Sequence, residues 1–185
     1  VATKVTDSKV ANSEVVFGNW RLTCKPQSNA AGEFCELFQP LINIVGKDPQ
    51  DPTKNRGQLL ATFGIFKLAG NEQAQMLLKA PLGTRLQAPV IKINGHKDVV
   101  LPFQFCDTTG CPTVSVLLEQ AFLDAVSAAE SAESASSKPQ GTLVMVLQVT
   151  RGDKSSQPEA VNVQFSLNGF GNGLKALLAK GKQTS

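Results

Sequence analysis

Residues 89–106 read PVIKINGHKDVVLPFQFC, two runs of alternating apolar character on either side of Asn94-Gly95. An Asn-Gly step between two such runs is the strongest short-range signal for a β-hairpin. The stretch therefore predicts antiparallel pairing with its tip at Asn94 and Gly95. The residues that follow, CDTTGCP (106–112), set Cys106 and Cys111 around four residues suited to another tight reversal.

Outward from this centre the same alternation recurs. β-branched and aromatic residues dominate VVFGNWRLTC (15–24), CELFQPLINIV (35–45), LLATFGIFKL (59–68), AQMLLKA (74–80), PTVSVLL (112–118), GTLVMVLQVT (141–150) and AVNVQFSL (160–167). Pro, Gly and small polar residues separate them, most clearly in KPQSNAAGEF (25–34), GKDPQDPTKNRG (46–57), LAGNEQ (68–73) and RGDKSSQPE (151–159). Two segments depart from this alternation. EQAFLDAVSAAESAESA (119–135) puts Phe122, Ala125, Val126 and Ala129 on one helical face, a short helix expected to fade into a Ser-rich tail before SSKPQG. NGFGNGLKALLAKGK (168–182) places Phe170, Leu174, Leu177 and Leu178 at helical spacing, with Asn168 positioned to cap. Roughly nine or ten short strands with frequent turns predict an all-β, antiparallel β-sandwich, the alternative being a closed barrel. Two peripheral helices, one C-terminal, complete it. Residues 1–14 are polar and aperiodic, a flexible lead-in, and 15–185 form one domain.

The chain of 185 residues carries a formal net charge of +3, with Lys and Arg scattered, so no basic stripe for nucleic acid is evident. No apolar run reaches the ~18 residues of a membrane-spanning helix. The four cysteines, spaced C-x10-C and C-x4-C, decide the compartment. A zinc site generally wants ligand pairs two to four residues apart, and a redox pair wants C-x-x-C at a helix start. Two local disulfides, Cys24 with Cys35 and Cys106 with Cys111, fit these reversals better than either, and imply an oxidising environment.

Motifs for catalysis are sparse. His96, the single histidine, lies beside the hairpin tip, with no G-x-S-x-G elbow or H-E-x-x-H to go with it, and reads as an exposed turn residue. Gly169-Phe170-Gly171-Asn172-Gly173 at a helix start has the glycines of a phosphate cradle, but Leu174 stands where G-x-G-x-x-G needs glycine, so a close-packed helix entry is favoured. Glu119, Asp124 and Glu130 read as solvated helix charges. No catalytic residue, metal ligand or cofactor site is assigned. Trp20 reads as a buried structural residue, and Arg21, on the opposite face of the same strand, as an exposed contact. Arg151 and Asp153, in an R-G-D tripeptide on a strand-to-strand loop, are the other interaction candidates.

The ordered landmarks Phe17-Gly18-Asn19-Trp20-Arg21 then Cys24, Cys35-Glu36-Leu37-Phe38-Gln39, Pro81-Leu82-Gly83, Phe105-Cys106 to Gly110-Cys111, and Ser166-Leu167-Asn168-Gly169-Phe170 resemble the invasion-associated locus B family, from about Phe17 to Leu178. Asn19 departs from the family's usual Asp, and the Ala/Ser-rich stretch 127–140 is a further departure. The resemblance implies a protein exported by Gram-negative bacteria, periplasmic or outer-membrane-associated or secreted after signal-peptide removal. It also implies a link, in pathogenic members, to entry into host cells, notably erythrocytes. The function expected is a non-enzymatic binding module with an unidentified envelope or host-surface protein as partner, the alternatives being an envelope hydrolase or a small-ligand carrier.

Overall fold

Alternating burial along the strands dictates the architecture, because each apolar face must find another layer to cover it. The computed structural model describes residues 13–26, 33–67, 73–81, 87–150 and 156–180. β1 (Ser13–Phe17), β2 (Trp20–Pro26), β3 (Glu33–Lys47), β4 (Asn55–Lys67) and β5 (Ala74–Ala80) form a meander. The short β8 (Cys111–Pro112) and β9 (Val116–Leu117) both pair with β5, completing a seven-stranded sheet in the order β1-β2-β3-β4-β5-β8. A second sheet runs β11-β10-β6-β7, from β6 (Val90–Ile93), β7 (Val99–Val100), β10 (Gly141–Thr150) and β11 (Ser156–Phe165). Every named pairing is antiparallel, and neither sheet closes on itself, so the fold is a β-sandwich and not a barrel.

The hairpin at Asn94-Gly95 is present, with a wider loop than a two-residue turn: Val99 is the first residue paired back, to Ile91. Only Gly95 takes a positive φ, at +85°, and His96 N–H donates to Ile93 C=O at 3.1 Å, the pattern of a type II turn. Lys92 and Asp98 close the loop with an ion pair of 2.8 Å. The expected single strand over 15–24 is instead a hairpin. Gly18, at φ +55°, turns the chain, and a side chain there would strike the backbone of Asn168. PTVSVLL likewise breaks into two short pieces, because Thr113 bridges back to Phe103 and its hydroxyl accepts the Leu78 N–H.

Two helices follow from the apolar periodicity. α1 (Gln120–Ser136) buries Phe122, Ala125, Val126, Ala129 and Glu133. It continues through its serines, held there by Glu130 and Glu133, which accept from backbone N–H groups of residues 167–171, while Ser131, Ser134 and Ser136 donate their hydroxyls to carbonyls four residues back. α2 (Phe170–Lys180) buries Phe170, Gly173, Leu174 and Leu177. It packs on the inner face of the large sheet, where Gly173 leaves room for Leu37. Trp20, fully buried, takes Phe63 and Phe170 edge-on, and Phe63 meets Phe165 of the second sheet. One aromatic cluster thus ties both sheets to α2.

The disulfides sit where the strands demand. Cys24 and Cys35 face each other directly across β2 and β3, and Cys106 and Cys111 close the turn 107–110, with Cα atoms 4.1 Å apart in each pair. The Asp107 carboxylate accepts from the Thr109 N–H and hydroxyl inside that turn, which holds its pKa below the ordinary range.

Two outcomes are expected. Replacing both Cys24 and Cys35 with Ala lowers stability by about 3 kcal/mol in urea unfolding, the loop-closure entropy of so short a segment. Gly169→Ala, which forces a side chain into φ +88° and against the Phe17 carbonyl, costs about 2–4 kcal/mol by the same measurement.

Candidate functional site

The alternation that buries one face of β3 lays the other open. Cys35, Leu37, Gln39 and Leu41 point inward, while Phe34, Glu36, Phe38 and Pro40 are half-buried on the outer face. In register beside them lie Arg21 and Thr23 of β2, Gly64 and Phe66 of β4, and Gln75 and Leu77 of β5. The described elements that pack against this sheet, α2 and the second sheet, meet it through its inner face.

The β3–β4 hairpin reaches past its neighbours. β2 pairs with β3 only as far as Phe38, and β5 pairs with β4 only as far as Thr62, so the arm beyond is held by its own two strands. A bulge at Leu41/Ile42 lets both Leu60 and Ala61 bury on one side. On the other side Ile42, Ile44 and Leu59 stay 48%, 57% and 45% exposed. Such large aliphatic groups, clustered on one face, are the kind of surface that marks a contact.

Glu36 stands in the middle of the outer face. Gly64 on the adjacent strand has no side chain to obstruct it, and the carboxylate lies over that glycine. Phe34 and Phe66, with ring centroids 6.1 Å apart, wall one side. Burial among these apolar groups pushes the Glu36 carboxyl above its ordinary value of 4.5, and the charges of Lys25 and Lys79 offset that only in part. Among the described residues Glu36 makes no hydrogen bond or ion pair.

The sequence candidates divide. Arg21 projects outward as expected and pairs with Glu14 at 3.3 Å, beside the exposed Val16. Arg151 and Asp153 lie outside the described residues. Both sulfurs near Glu33, those of Cys24 and Cys35, are bonded to each other, so this cluster offers no thiolate to a metal. His96 is at the turn, but its ring is packed edge-on against Phe122 of α1 and Nδ1 donates to the Lys97 carbonyl at 2.6 Å.

The glycine-rich entry to α2 does receive an anion, and the anion is the protein's own. Glu130 of α1 accepts from the N–H groups of Gly169 at 2.8 Å and Gly171 at 3.2 Å. Its carboxylate therefore occupies the position a phosphate would take. Glu130 is thus no solvated helix charge, and it satisfies the donors expected for Asn168. Glu133, one turn on, accepts from Leu167 N–H at 2.8 Å, Gln140 N–H at 3.3 Å and the Ser166 hydroxyl. A groove of about 340 Å³ opens between α1 and α2, floored by Leu123, Val126, Phe170 and Leu174 with Glu130 and Lys175 at its rim. It lies between helices, not within a barrel lumen.

Comparison with known proteins decides the family. The model of the invasion associated locus B (IalB) protein family matches residues 20–178. The chain belongs to the IalB family. Its fold is similar to the crystal structure of invasion associated protein B from Bartonella henselae, with a TM-score of 0.57 and 17% sequence identity over 90% of this chain and 95% of that one. At that identity the likeness speaks for the fold alone. No curated protein matches the chain.

Within this IalB-family chain, two landmarks from opposite ends of the sequence meet. The Asn19 N–H donates to the Asn168 carbonyl at 3.1 Å, and Gly18 and Gly169 each leave room for the other segment's backbone. The family-like F-G-x-W and S-L-N-G-F segments are therefore one structural joint. Glu36, within C-E-L-F-Q, is a candidate site residue that the sequence did not single out. The available signal was a carboxylate on a strand face whose same-side neighbours, Phe34 and Phe38, are aromatic.

The pH dependence follows from the sign of the Glu36 shift. A carboxyl raised in the folded state holds its proton more tightly there than in the unfolded chain. Its contribution therefore falls as pH rises from 4.5 through the folded value. Glu36→Gln is expected to raise the stability of the dilute protein at pH 7 and to leave it nearly unchanged below pH 4.5, read by urea unfolding at both pH values.

Proposed function

We propose that this IalB-family protein is an exported component of the bacterial envelope, periplasmic or outer-membrane-associated, that works by binding and not by catalysis. Its part in host-cell invasion, erythrocytes included, would then run through a protein contact. The observation that carries this reading is the outer face of the large sheet, where the exposed Ile42, Ile44 and Leu59 of the projecting β3–β4 arm extend the half-buried Phe34, Phe38 and Pro40 that surround Glu36. Arg21, at the edge of that face, belongs to the same surface, and Arg151 and Asp153 are proposed as further contacts.

Chemistry favours binding over hydrolysis at this face. Glu36 has a raised pKa, as a general acid needs, but its charged neighbours are Lys25 and Lys79 and not a second carboxylate. It also lies on an open sheet, where a partner's surface can dock but a small substrate is not enclosed. The two disulfides suit an oxidising compartment, the chemical support for export.

The test uses a photo-crosslinking residue placed at Ile44, with a second at the exposed Asp124 of α1 as control, in protein added to intact envelopes and to host-cell surfaces. Specific adducts from position 44, reduced by Ile42→Glu or Arg21→Ala, are the expected result. Equal labelling from both positions, unaffected by either substitution, overturns the reading.

A further inference from the structure

The charges on the outer face narrow what can dock there. Glu36 lies flat over Gly64 at the centre, with Lys25 on β2 to one side and Lys79 on β5 to the other. Neither lysine forms an ion pair with it within 4.0 Å, and Lys79 donates to the Thr109 hydroxyl at 2.7 Å. Beside these three charges and the Arg21–Glu14 ion pair, the face carries the half-buried Phe34, Phe38 and Leu77 around a buried Phe66. A uniformly basic partner would bring its charges against two lysines. A uniformly acidic one would be pressed onto a carboxylate that already lacks a counter-charge in contact. The surface that satisfies both signs carries an acid between two bases on an apolar ground.

The chain itself is such a surface. We propose that the outer face of the large sheet pairs with the same face of a second copy, the two related by a two-fold axis that sets Glu36 of each against Lys25 or Lys79 of the other. A two-fold makes every such contact reciprocal, so the unpaired carboxylate of each copy gains a partner and two ion pairs form. Sheets stack face to face about 10 Å apart when their surfaces are level. The level surface is supplied by Gly64, which lets the Glu36 side chain lie along the sheet instead of standing off it. Ile42, Ile44 and Leu59, on the arm beyond the flanking strands, extend the apolar contact past the edge of the paired faces.

This pairing rests on the reading of the outer face as a docking surface, and it adds the occupant. Closing the face gives the Glu36 charge a partner, which offsets the loss of water around it where the ion pair is well formed. Substitution of Glu36 then has two opposite effects. Glu36→Gln favours the folded monomer at neutral pH yet weakens the dimer, a combination that loss of a merely structural side chain would not produce.

The experiment is sedimentation equilibrium of the purified, disulfide-intact protein over a concentration series, with circular dichroism to confirm that each variant folds. The wild type is expected to dimerise with rising concentration. Glu36→Lys, and separately the double variant Lys25→Glu/Lys79→Glu, should each weaken self-association at least tenfold. A mixture of the two should restore dimers, which Ile44→Glu in both partners weakens again. A wild type that stays monomeric throughout, or a dimer indifferent to Glu36, Lys25, Lys79 and Ile44, overturns the pairing. Should the monomer still crosslink another protein through position 44, the docking reading stands while the second copy is excluded as its occupant. If position 44 crosslinks nothing specific either, both fail.

Discussion

Two carboxylates of α1 hold the joint on which the rest of the structure depends. Glu130 receives the N–H groups that open α2, and Glu133 receives those of the segment just before it. The donors at a helix start are otherwise unpaired, and placing a negative charge there satisfies hydrogen bonds and dipole together. Because the acceptors come from another helix, the bonds also fix where α2 begins relative to α1. Gly169 can then reach the Phe17 carbonyl, and Phe170 comes to rest against Trp20. Loss of these acceptors would leave buried donors unsatisfied at the point where three chain segments converge.

From that joint the layering follows. With Phe170 on Trp20 and Leu37 against Gly173, α2 covers the inner face of β1 to β4, and Phe165 on Phe63 brings in the second sheet. Both layers are drawn to one side of the large sheet. The opposite side keeps half-buried aromatic residues, with a carboxylate among them whose charged form is disfavoured there. A fold optimised only for its own stability would place a neutral side chain at position 36. Its cost, together with the exposed aliphatic groups of the β3–β4 arm, is the physical ground for the proposal that this face binds a partner.

The family landmarks also acquire a mechanical meaning. Gly18 and Gly169 both adopt positive φ and both border the other segment's backbone. The joint requires two glycines because two chains approach more closely than any side chain permits. The same geometry removes the phosphate-cradle reading, since Glu130 already supplies the anion. The Ala/Ser-rich stretch that looked like a departure carries the half of α1 that supplies both carboxylates.

Local patterning alone determined much of this protein. Period-two alternation, Asn94-Gly95 and the apolar stripe Phe122-Ala125-Val126-Ala129 specify strands, a turn and a helix through neighbours close in sequence, and the cysteine spacings mark reversals of the same short range. The hairpin break at Gly18 and the persistence of α1 through its serines were decided by tertiary structure, because each depends on a segment more than thirty residues away. Which face of β3 would be covered was likewise not written in its alternation, since two-faced apolarity looks the same from either side. Only the packing of Trp20, Phe63 and Phe170 chose the inner face, and by choosing it left Glu36 and its aromatic neighbours on the outside.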